Sequence, residues 1–254
     1  MKPMNIVIAA AGAGHRFRRE GFQAPKLIIE TAGKPMLHWA MESLQPALPQ
    51  AKVFVICLEA DLQDGRVEQV IHSGCPHAEI IAIPELTDGQ ADTVLAARDR
   101  LDMQAPLCIY NCDTYMQLHP EAWSRMREVN PAVSGIVPVF QSNSPGYSYA
   151  EVNECGRIDR LREKEVISPY ATTGLYHFQQ AEWFVAAAEQ ARATPTGDSD
   201  TGSERYVAPL YNWLIEEGHQ FEIVLAKACY PIGTPSERTA FVQWIHNHSK
   251  SDGR

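Results

Sequence analysis

A predicted strand runs directly into a predicted phosphate-binding loop in the stretch Ala9-Ala10-Ala11-Gly12-Ala13-Gly14-His15-Arg16. The apolar residues 5–11 indicate a buried β-strand. The glycines that follow expose backbone N–H groups, which can cradle phosphate oxygens. Arg16 and, nine residues later, Pro25-Lys26 add two cations that can neutralise phosphate charge. The stretch therefore predicts a loop that binds a triphosphate.

Three other interpretations of this loop fit its surroundings less well. A dinucleotide-binding fingerprint needs a third Gly or Ala where Phe17 stands, and an unbroken helix that Gly21 and Pro25 oppose. A Walker-type loop needs Gly-Lys-Ser/Thr after four spacer residues, and this sequence lacks that pattern. A plain strand-to-helix turn would explain the glycines, but it leaves the nearby Arg16 and Lys26 unexplained.

Composition indicates a globular chain with an acidic balance. Its 254 residues are 45% hydrophobic and 21% charged, and the net charge is −9. Because nucleic acid is also negative, we expect no nucleic-acid binding, and an anionic substrate needs a local basic pocket. The 6 cysteines lack C-x-x-C or zinc spacing, which favours reduced thiols in a cytoplasmic protein, with Cys57 and Cys108 in the core. We expect neither a membrane span nor a signal peptide, and the oligomeric state stays open.

Short apolar runs alternate with helical patterns through the first half. Strands are predicted at 5–11, 52–58, 78–83, 106–111 and 133–139. Helices are predicted at 35–45, 61–72, 91–101 and 120–129. This alternation predicts an α/β fold with a mostly parallel sheet between two layers of helices.

The second half is less regular and predicts a smaller substrate-binding lobe. Its expected strands are 148–153, 172–178 and 221–227, and its expected helices are 180–193, 205–217 and 236–247. We interpret residues 1–254 as one domain, with a nucleotide-binding half at 1–140 and an acceptor-binding half at 141–245. Residues 194–203, rich in Thr, Asp, Gly and Ser, predict a mobile solvated loop or a lid.

A carboxylate follows the fourth predicted strand in Asn111-Cys112-Asp113. In open α/β sheets ligands bind beyond the carboxyl ends of the strands, so Asp113 should lie beside the glycine loop. A carboxylate that faces a triphosphate is the expected Mg²⁺ ligand, whereas the plainer interpretation is a turn or helix cap.

Three further motifs are candidates for substrate contacts. Gly89-Gln90 could bind the edge of a nucleobase, or could simply begin a helix. Glu163-Lys164, after a strand–turn–strand pattern, could hold a hydroxyl and a phosphate of an acceptor, or could be a solvated pair. Thr173-Gly174 begins a strand with a glycine, which allows a ligand to approach the backbone closely.

Together these positions resemble the sugar-phosphate nucleotidyltransferase family, pyrophosphorylases with a three-layer, Rossmann-like (GT-A-type) fold. The resemblance extends from residue 5 to about 245. Within this family the sequence is most similar to the branch found with capsule and lipopolysaccharide genes, which shares the pattern Tyr-x-x-Pro-x-Tyr-Asn found here at 206–212. Besides the glycine loop, the shared motifs in family order are Pro25-Lys26, Gly33-Lys34-Pro35-Met36, Gly89-Gln90-Ala91, Asn111-Cys112-Asp113, Glu163-Lys164, Gly174-Leu175-Tyr176 and Gly233-Thr234-Pro235.

The resemblance implies that the chain joins the nucleoside monophosphate of a pyrimidine triphosphate (CTP, UTP or dTTP) to a phosphorylated acceptor such as a sugar 1-phosphate. Pyrophosphate is released, and the product feeds surface polysaccharide synthesis. Arg16, Lys26 and Asp113 are the implied catalytic residues, with Mg²⁺ on Asp113. The implied nucleotide contacts are Ala10, Ala11, Gly12, Ala13, Gly14, Gly89 and Gln90, and the implied acceptor contacts are Glu163, Lys164, Thr173 and Gly174. As an exposed cation, Lys26 should matter little for stability.

Two departures from the family pattern leave alternatives open. The family commonly carries Asp, a second metal ligand, where this chain has Pro231, so either phosphates and water complete the metal site or another carboxylate such as Glu204 does. Glu165 replaces a common Pro, which keeps a non-sugar acceptor (phosphocholine, a phosphonate or an amino-alcohol phosphate, with CTP) in view. A glycosyltransferase would need Asp-x-Asp, which Asp113-Thr114-Tyr115 lacks. A non-catalytic nucleotide-binding protein is the alternative that Pro231 motivates.

Overall fold

A five-stranded sheet forms the centre of the computed structural model, which describes residues 3–128, 130, 132–194 and 204–249. Strands β1, β4, β5 and β6 are parallel, and β12 pairs antiparallel with β6. The mostly parallel α/β sheet predicted from the alternating pattern is thus confirmed. In spatial order its strands are β12 (Leu175–Phe178), β6 (Leu107–Asn111), β1 (Asn5–Ala9), β4 (Lys52–Leu58) and β5 (Glu79–Ile83).

Helices cover both faces of this sheet, as the sequence predicts. Successive side chains of a strand point to opposite faces, so Ile6 and Ile8 pack in one apolar cluster and Val7 in the other. Burial on both sides explains why β1 and β4 are continuous apolar runs. The helices are α1 (His15–Arg19), α2 (Met36–Ser43), α3 (Glu59–Leu62), α4 (Arg66–Gly74), α5 (Gln90–Leu95), α6 (Pro120–Arg127), α7 (Ala181–Ala193), α8 (Leu210–Glu216) and α9 (Pro235–Ser249).

Three helix predictions need correction. The predicted helix 61–72 is two helices, α3 and α4, because Gly65 turns the chain with φ +74°. The predicted helix 91–101 ends at Leu95 and is followed by a 3-10 turn at Arg98–Arg100. The predicted helix 205–217 begins only at Leu210, after Pro209, and residues 204–206 run along the cavity described below.

A second five-stranded sheet is formed by strands from the second half of the chain. Its strands pair antiparallel, except that β13 is parallel to β8. The predicted strand 172–178 is divided between the two sheets, because Gly174 turns the chain with φ +82°. The predicted strand 133–139 belongs here and not beside the parallel strands. The order is β10 (Ile158–Glu163), β9 (Ser148–Val152), β11 (Tyr170–Thr172), β8 (Gly135–Gln141) and β13 (Phe221–Leu225).

Two further sheets of the described residues have two short strands each. β2 (Glu30–Thr31) pairs with β3 (Lys34–Pro35), and Pro35 precedes α2 instead of lying in its first turn. β7 (Thr114–Gln117) pairs antiparallel with β14 (Ala228–Pro231), a pairing that the sequence patterns did not reveal. This pairing brings the chain before α9 next to the end of β6.

The remaining sequence expectations concern thiols, membrane spans and one loop. All six cysteines are free, and Cys57 and Cys108 are buried as expected. Among the helices of the described residues, none has the length and apolar character needed to cross a bilayer. The predicted loop 194–203 lies, beyond Thr194, outside the described residues.

Candidate active site

A cavity of about 580 Å³ opens at the carboxyl ends of β1 and β6, where the sequence predicts the ligand site. It is bounded by the glycine loop, the start of α5, the second sheet and the chain before α9. The structure therefore gathers segments from the whole length of the chain. The predicted site residues that line it are Ala11, Gly12, Ala13, Gly14, Arg16, Lys26, Gly89, Gln90, Asp113, Glu163, Thr173 and Gly174.

Of the described residues expected at the site, Ala10 and Lys164 lie outside the cavity lining. Ala10 is buried, and its N–H donates to the carbonyl oxygen of Ile56 at 2.9 Å. Lys164 is exposed, with its Nζ 4.4 Å from the ring centroid of Tyr206 and hydrogen-bonded to the Tyr206 hydroxyl. A direct contact of Ala10 or Lys164 with a ligand thus stays a prediction.

The first wall of the cavity, here called the glycine-loop wall, consists of residues 11–14, Arg16, Lys26 and Asp113. Gly14 ends the loop with φ +63°, a conformation that glycine adopts without strain, and α1 follows directly. A Cβ on Gly12 would meet nothing within 4 Å, so the backbone there is open to a ligand. The wall combines an accessible backbone with two cations.

An ion pair joins the two parts of the glycine-loop wall that are far apart in sequence, at Lys26 and Asp113. Lys26 Nζ lies 2.7 Å from Asp113 Oδ2, and the two side chains are only 20% and 18% exposed. Burial alone would lower the pKa of Lys26, but the charge and hydrogen bond of Asp113 raise it overall. The expectation of an exposed Lys26 is therefore wrong. Because a half-buried pair leaves a charge behind when one partner is removed, Lys26 contributes to stability as well as to charge.

Gln90 begins α5 and is held by the end of β6. Its Nε2 donates to Asn111 Oδ1 at 2.6 Å. A Cβ on Gly174 would lie 2.3 Å from Asn111 Nδ2, so the turn between the two sheets passes against the same amide. Asn111, which the sequence analysis treats only as part of a motif, thus positions the residue predicted to contact the base.

The backbone of Arg205, a residue that was predicted to be helical, contacts the start of α5. A Cβ on Gly89, where φ is +144°, would lie 2.4 Å from both the backbone N and O of Arg205. The Arg205 N–H donates to the Asp88 carbonyl (2.7 Å), and its carbonyl accepts from the Ala91 N–H (3.0 Å). Gly89 is therefore required for this approach, which holds residues 204–206 at the cavity.

The opposite wall, here called the hairpin wall, consists of Tyr147, Ser148, Glu163, Glu204 and Tyr206. Ser148 donates to Glu163, and Tyr206 donates to Glu204. Burial raises the pKa of Glu163, although the hydrogen bond from Ser148 opposes this effect. Burial, followed by Glu204, raises the pKa of Tyr206, so its hydroxyl remains a donor. The wall is a network of hydroxyls and carboxylates, which suits binding of polar hydroxyl groups.

Sequence reasoning missed a carboxylate in the first turn of α9. Glu237 lines the cavity, and its Oε1 accepts from the Tyr147 hydroxyl at 2.9 Å. The pattern Thr234-x-x-Glu237 is a capping-box signature, which could have placed Glu237 at a helix start. Only the tertiary structure shows that this helix start faces the cavity.

The cavity offers oxygen donors for a divalent cation. Among the described residues, no group of three or more His, Cys, Asp and Glu side chains is arranged to hold a metal ion. Two carboxylates nevertheless flank one small space, since a Cβ on Gly233 would lie 2.5 Å from Asp113 Oδ2 and 3.8 Å from Glu237 Oε2. Because Mg²⁺ prefers oxygen ligands and keeps several waters, these residues fit it.

Comparisons with known proteins show which proteins this chain is similar to. The bifunctional protein GlmU of Bordetella petrii is 28% identical over 170 residues, which are 63% of this chain and 34% of that protein. The chain thus spans about a third of the length of such relatives. A nucleoside-diphosphate-sugar pyrophosphorylase structure from Vibrio cholerae superimposes with a TM-score of 0.80 at 27% identity, covering 94% of this chain and 99% of that one.

A more distant structure shares the fold alone. The inositol-1-phosphate CTP transferase of T. maritima superimposes with a TM-score of 0.72 at 15% identity, covering 93% of this chain and 92% of that one. These neighbours have the Rossmann-like nucleotidyltransferase fold that the sequence motifs indicate. Residues 6–168 match the family described as the MobA-like NTP transferase domain, and this segment holds the whole glycine-loop wall. The chain therefore belongs to the MobA-like NTP transferase domain family.

Proposed function

We propose that this protein joins the nucleoside monophosphate of a pyrimidine nucleoside triphosphate to a small phosphorylated acceptor and releases pyrophosphate. The observation that carries the proposal is the Lys26–Asp113 pair beside an open glycine loop, within a cavity of about 580 Å³. The family match and the similarity to a nucleoside-diphosphate-sugar pyrophosphorylase support the same reaction class.

The reaction needs positioning and charge neutralisation more than proton transfer. An oxygen of the acceptor phosphate, already an anion, bonds to the α-phosphorus while the bond from that phosphorus to the bridging oxygen breaks. Lys26 and Arg16 bind triphosphate oxygens, and backbone N–H groups of the glycine loop bind others. Asp113, with Glu237 nearby, would hold Mg²⁺, which supplies further neutralisation of the phosphates when it is bound.

The hairpin wall receives the acceptor in this proposal. Glu163 accepts hydrogen bonds from acceptor hydroxyls, and Lys164 approaches the acceptor phosphate from the rim of the cavity. Thr173 and Gly174 bound the space between the two substrates. A sugar 1-phosphate is the acceptor that the V. cholerae neighbour supports. Phosphocholine, a phosphonate or an amino-alcohol phosphate, with CTP as donor, is the alternative.

We also propose that the product is a precursor of a surface polysaccharide such as capsule or lipopolysaccharide. The Tyr-x-x-Pro-x-Tyr-Asn motif at residues 206–212, which resembles the capsule and lipopolysaccharide branch, supports this proposal, and its Tyr206 belongs to the hairpin wall. The free cysteines support work in the reducing cytoplasm, where nucleoside triphosphates are also available.

Pyrophosphate release tests the proposed reaction. The wild type is incubated with Mg²⁺, each of CTP, UTP, dTTP, GTP and ATP, and a panel of hexose 1-phosphates, phosphocholine and aminoethyl phosphates. We expect one pyrimidine triphosphate to react with one acceptor class, and Asp113→Asn to abolish the signal. If a triphosphate binds but no combination of triphosphate and acceptor releases pyrophosphate, the proposed enzymatic activity is contradicted and the non-catalytic alternative is favoured.

A further inference from the structure

The position of the family's usual second metal ligand cannot serve here. Pro231 ends β14, opposite Thr114, and lines the cavity. Its ring has no oxygen or nitrogen free to ligate a cation. Any second carboxylate ligand for a cation on Asp113 therefore comes from another residue of the cavity.

Glu237 is the carboxylate that shares a space with Asp113. A Cβ on Gly233 would come within 2.5 Å of Asp113 Oδ2, so the missing side chain leaves the space beside that oxygen open. The same Cβ would lie 3.8 Å from Glu237 Oε2. The Ile232 N–H donates to the Asp113 carbonyl at 2.9 Å, which fixes the chain before α9 against the end of β6.

The Glu237 carboxylate accepts a hydrogen bond that a helix-capping carboxylate does not need. In a capping box the carboxylate turns back to the N–H of the cap residue. Here Oε2 accepts from the Thr234 hydroxyl at 2.9 Å, and Oε1 accepts from the hydroxyl of Tyr147, from a loop on the other side of the cavity. Two hydroxyl donors on different segments orient the carboxylate and leave it half-buried at the cavity surface.

Glu204, the replacement suggested by the sequence, has different partners. Its carboxylate is exposed and accepts from Tyr206, and its charge acts on Glu163 and Tyr206. Those contacts place it in the hairpin wall, whereas Glu237 faces Asp113 across Gly233.

We infer that Glu237 replaces the missing aspartate and supplies, across Gly233 from Asp113, the second carboxylate ligand of the divalent cation. This inference rests on the proposed function, because it assumes the cation that the transfer reaction uses. Tyr147 and Thr234 act as positioning residues that hold the carboxylate in place.

Mn²⁺ binding, measured by water proton relaxation without any substrate, tests this assignment apart from activity. The variants are Glu237→Gln, which keeps an oxygen to accept from Tyr147, Asp113→Asn, and the matched control Glu204→Gln. We expect Glu237→Gln and Asp113→Asn each to weaken Mn²⁺ binding by about tenfold or more, on the scale seen when groups that support a metal site are lost. Glu204→Gln should bind as the wild type does.

Restoring the family's aspartate separates a lost ligand from a disturbed helix. Pro231→Asp, added to Glu237→Gln, should restore Mn²⁺ binding if the lost group is a ligand. Four results would each overturn the assignment. They are a double variant that does not regain Mn²⁺ binding, a Glu237→Gln variant that binds Mn²⁺ as the wild type does, weaker binding in Glu204→Gln alone, and a wild type without Mn²⁺ binding that Asp113→Asn weakens. Pyrophosphate release by the wild type is scored separately, so a failure of the proposed reaction is distinguishable from a failure of Glu237 as a ligand.

Discussion

The glycine-loop wall and the hairpin wall bound one cavity, but they differ in charge and in assembly. The glycine-loop wall carries Arg16 and Lys26 and is built from the ends of two neighbouring parallel strands. The hairpin wall carries Glu163 and Glu204 and combines the antiparallel β9–β10 pair with residues 204–206. Cations beside open backbone suit phosphates, whereas carboxylates and hydroxyls suit a polar acceptor. Under the proposed function each wall therefore receives one substrate, and substitutions on either side should separate the two roles.

The largest effect should come from the glycine-loop wall. Lys26→Ala removes a cation placed at the developing phosphate charge, so turnover should fall by about 10²–10³. The unfolding free energy should also fall, by less than the roughly 3–5 kcal/mol that breaking a fully buried pair costs. Steady-state pyrophosphate release and urea unfolding measure the two effects. Arg19→Ala, an exposed cation outside the cavity lining, is the matched control. Wild-type turnover in Lys26→Ala would remove the phosphate role of Lys26.

The next largest effect should be on the KM for the acceptor and not on the KM for the triphosphate. Lys164→Gln removes a charged donor at the rim of the hairpin wall, which is worth about 1.5–3 kcal/mol, or roughly 10- to 100-fold in acceptor KM. The KM for the triphosphate should stay near that of the wild type. Initial rates with each substrate varied in turn measure both constants. A rise in triphosphate KM instead would assign Lys164 to the other wall.

A smaller effect is expected where the base should bind. Gln90 is oriented by Asn111, so Gln90→Leu removes one hydrogen-bonding group and should cost the preferred triphosphate about 1 kcal/mol, roughly fivefold. Competition between two triphosphates reports this as a changed preference. The maximal rate should change less than the preference does. An unchanged preference would place base recognition at another residue.

The smallest effect should come from the hydroxyl of Tyr206. Tyr206→Phe removes the hydrogen bonds to Lys164 and Glu204 but keeps the ring under the Lys164 ammonium. Acceptor KM should rise only a few-fold, the result of about 0.5–1.5 kcal/mol for one hydrogen bond. The same initial-rate measurements apply. A loss as large as that of Lys26→Ala would mean that Tyr206 contacts the reacting groups.

The sequence predicts the glycine-loop wall well because local patterns encode it. β4 covers the predicted residues 52–58, and β1 and β6 end close to their predicted positions. Parallel strands expose their carboxyl ends at one edge, so Asp113 could be placed beside Gly12 without a structure.

Two parts of the cavity, residues 204–206 and the chain before α9, were harder to predict because contacts with distant segments hold them in place. Residues 205 and 206 were expected in a helix, yet the approach of Arg205 to Gly89 depends on a backbone contact across more than a hundred residues. The β7–β14 pairing that brings Gly233 to Asp113 involves two strands of four residues each, too short to give a periodic pattern. The position of Glu237 follows from that pairing and not from its own neighbours.

Thermal unfolding with triphosphates tests the division between the two walls most directly. CTP, UTP, dTTP, GTP and ATP are added with Mg²⁺ to the wild type, Lys26→Ala and Lys164→Gln. At about 100 times its dissociation constant, a bound triphosphate should add about 2.7 kcal/mol and raise the wild-type Tm by roughly 5–10 °C. The account predicts that Lys164→Gln keeps this rise and Lys26→Ala loses it. Equal rises in both variants, or loss of the rise in Lys164→Gln alone, would contradict it.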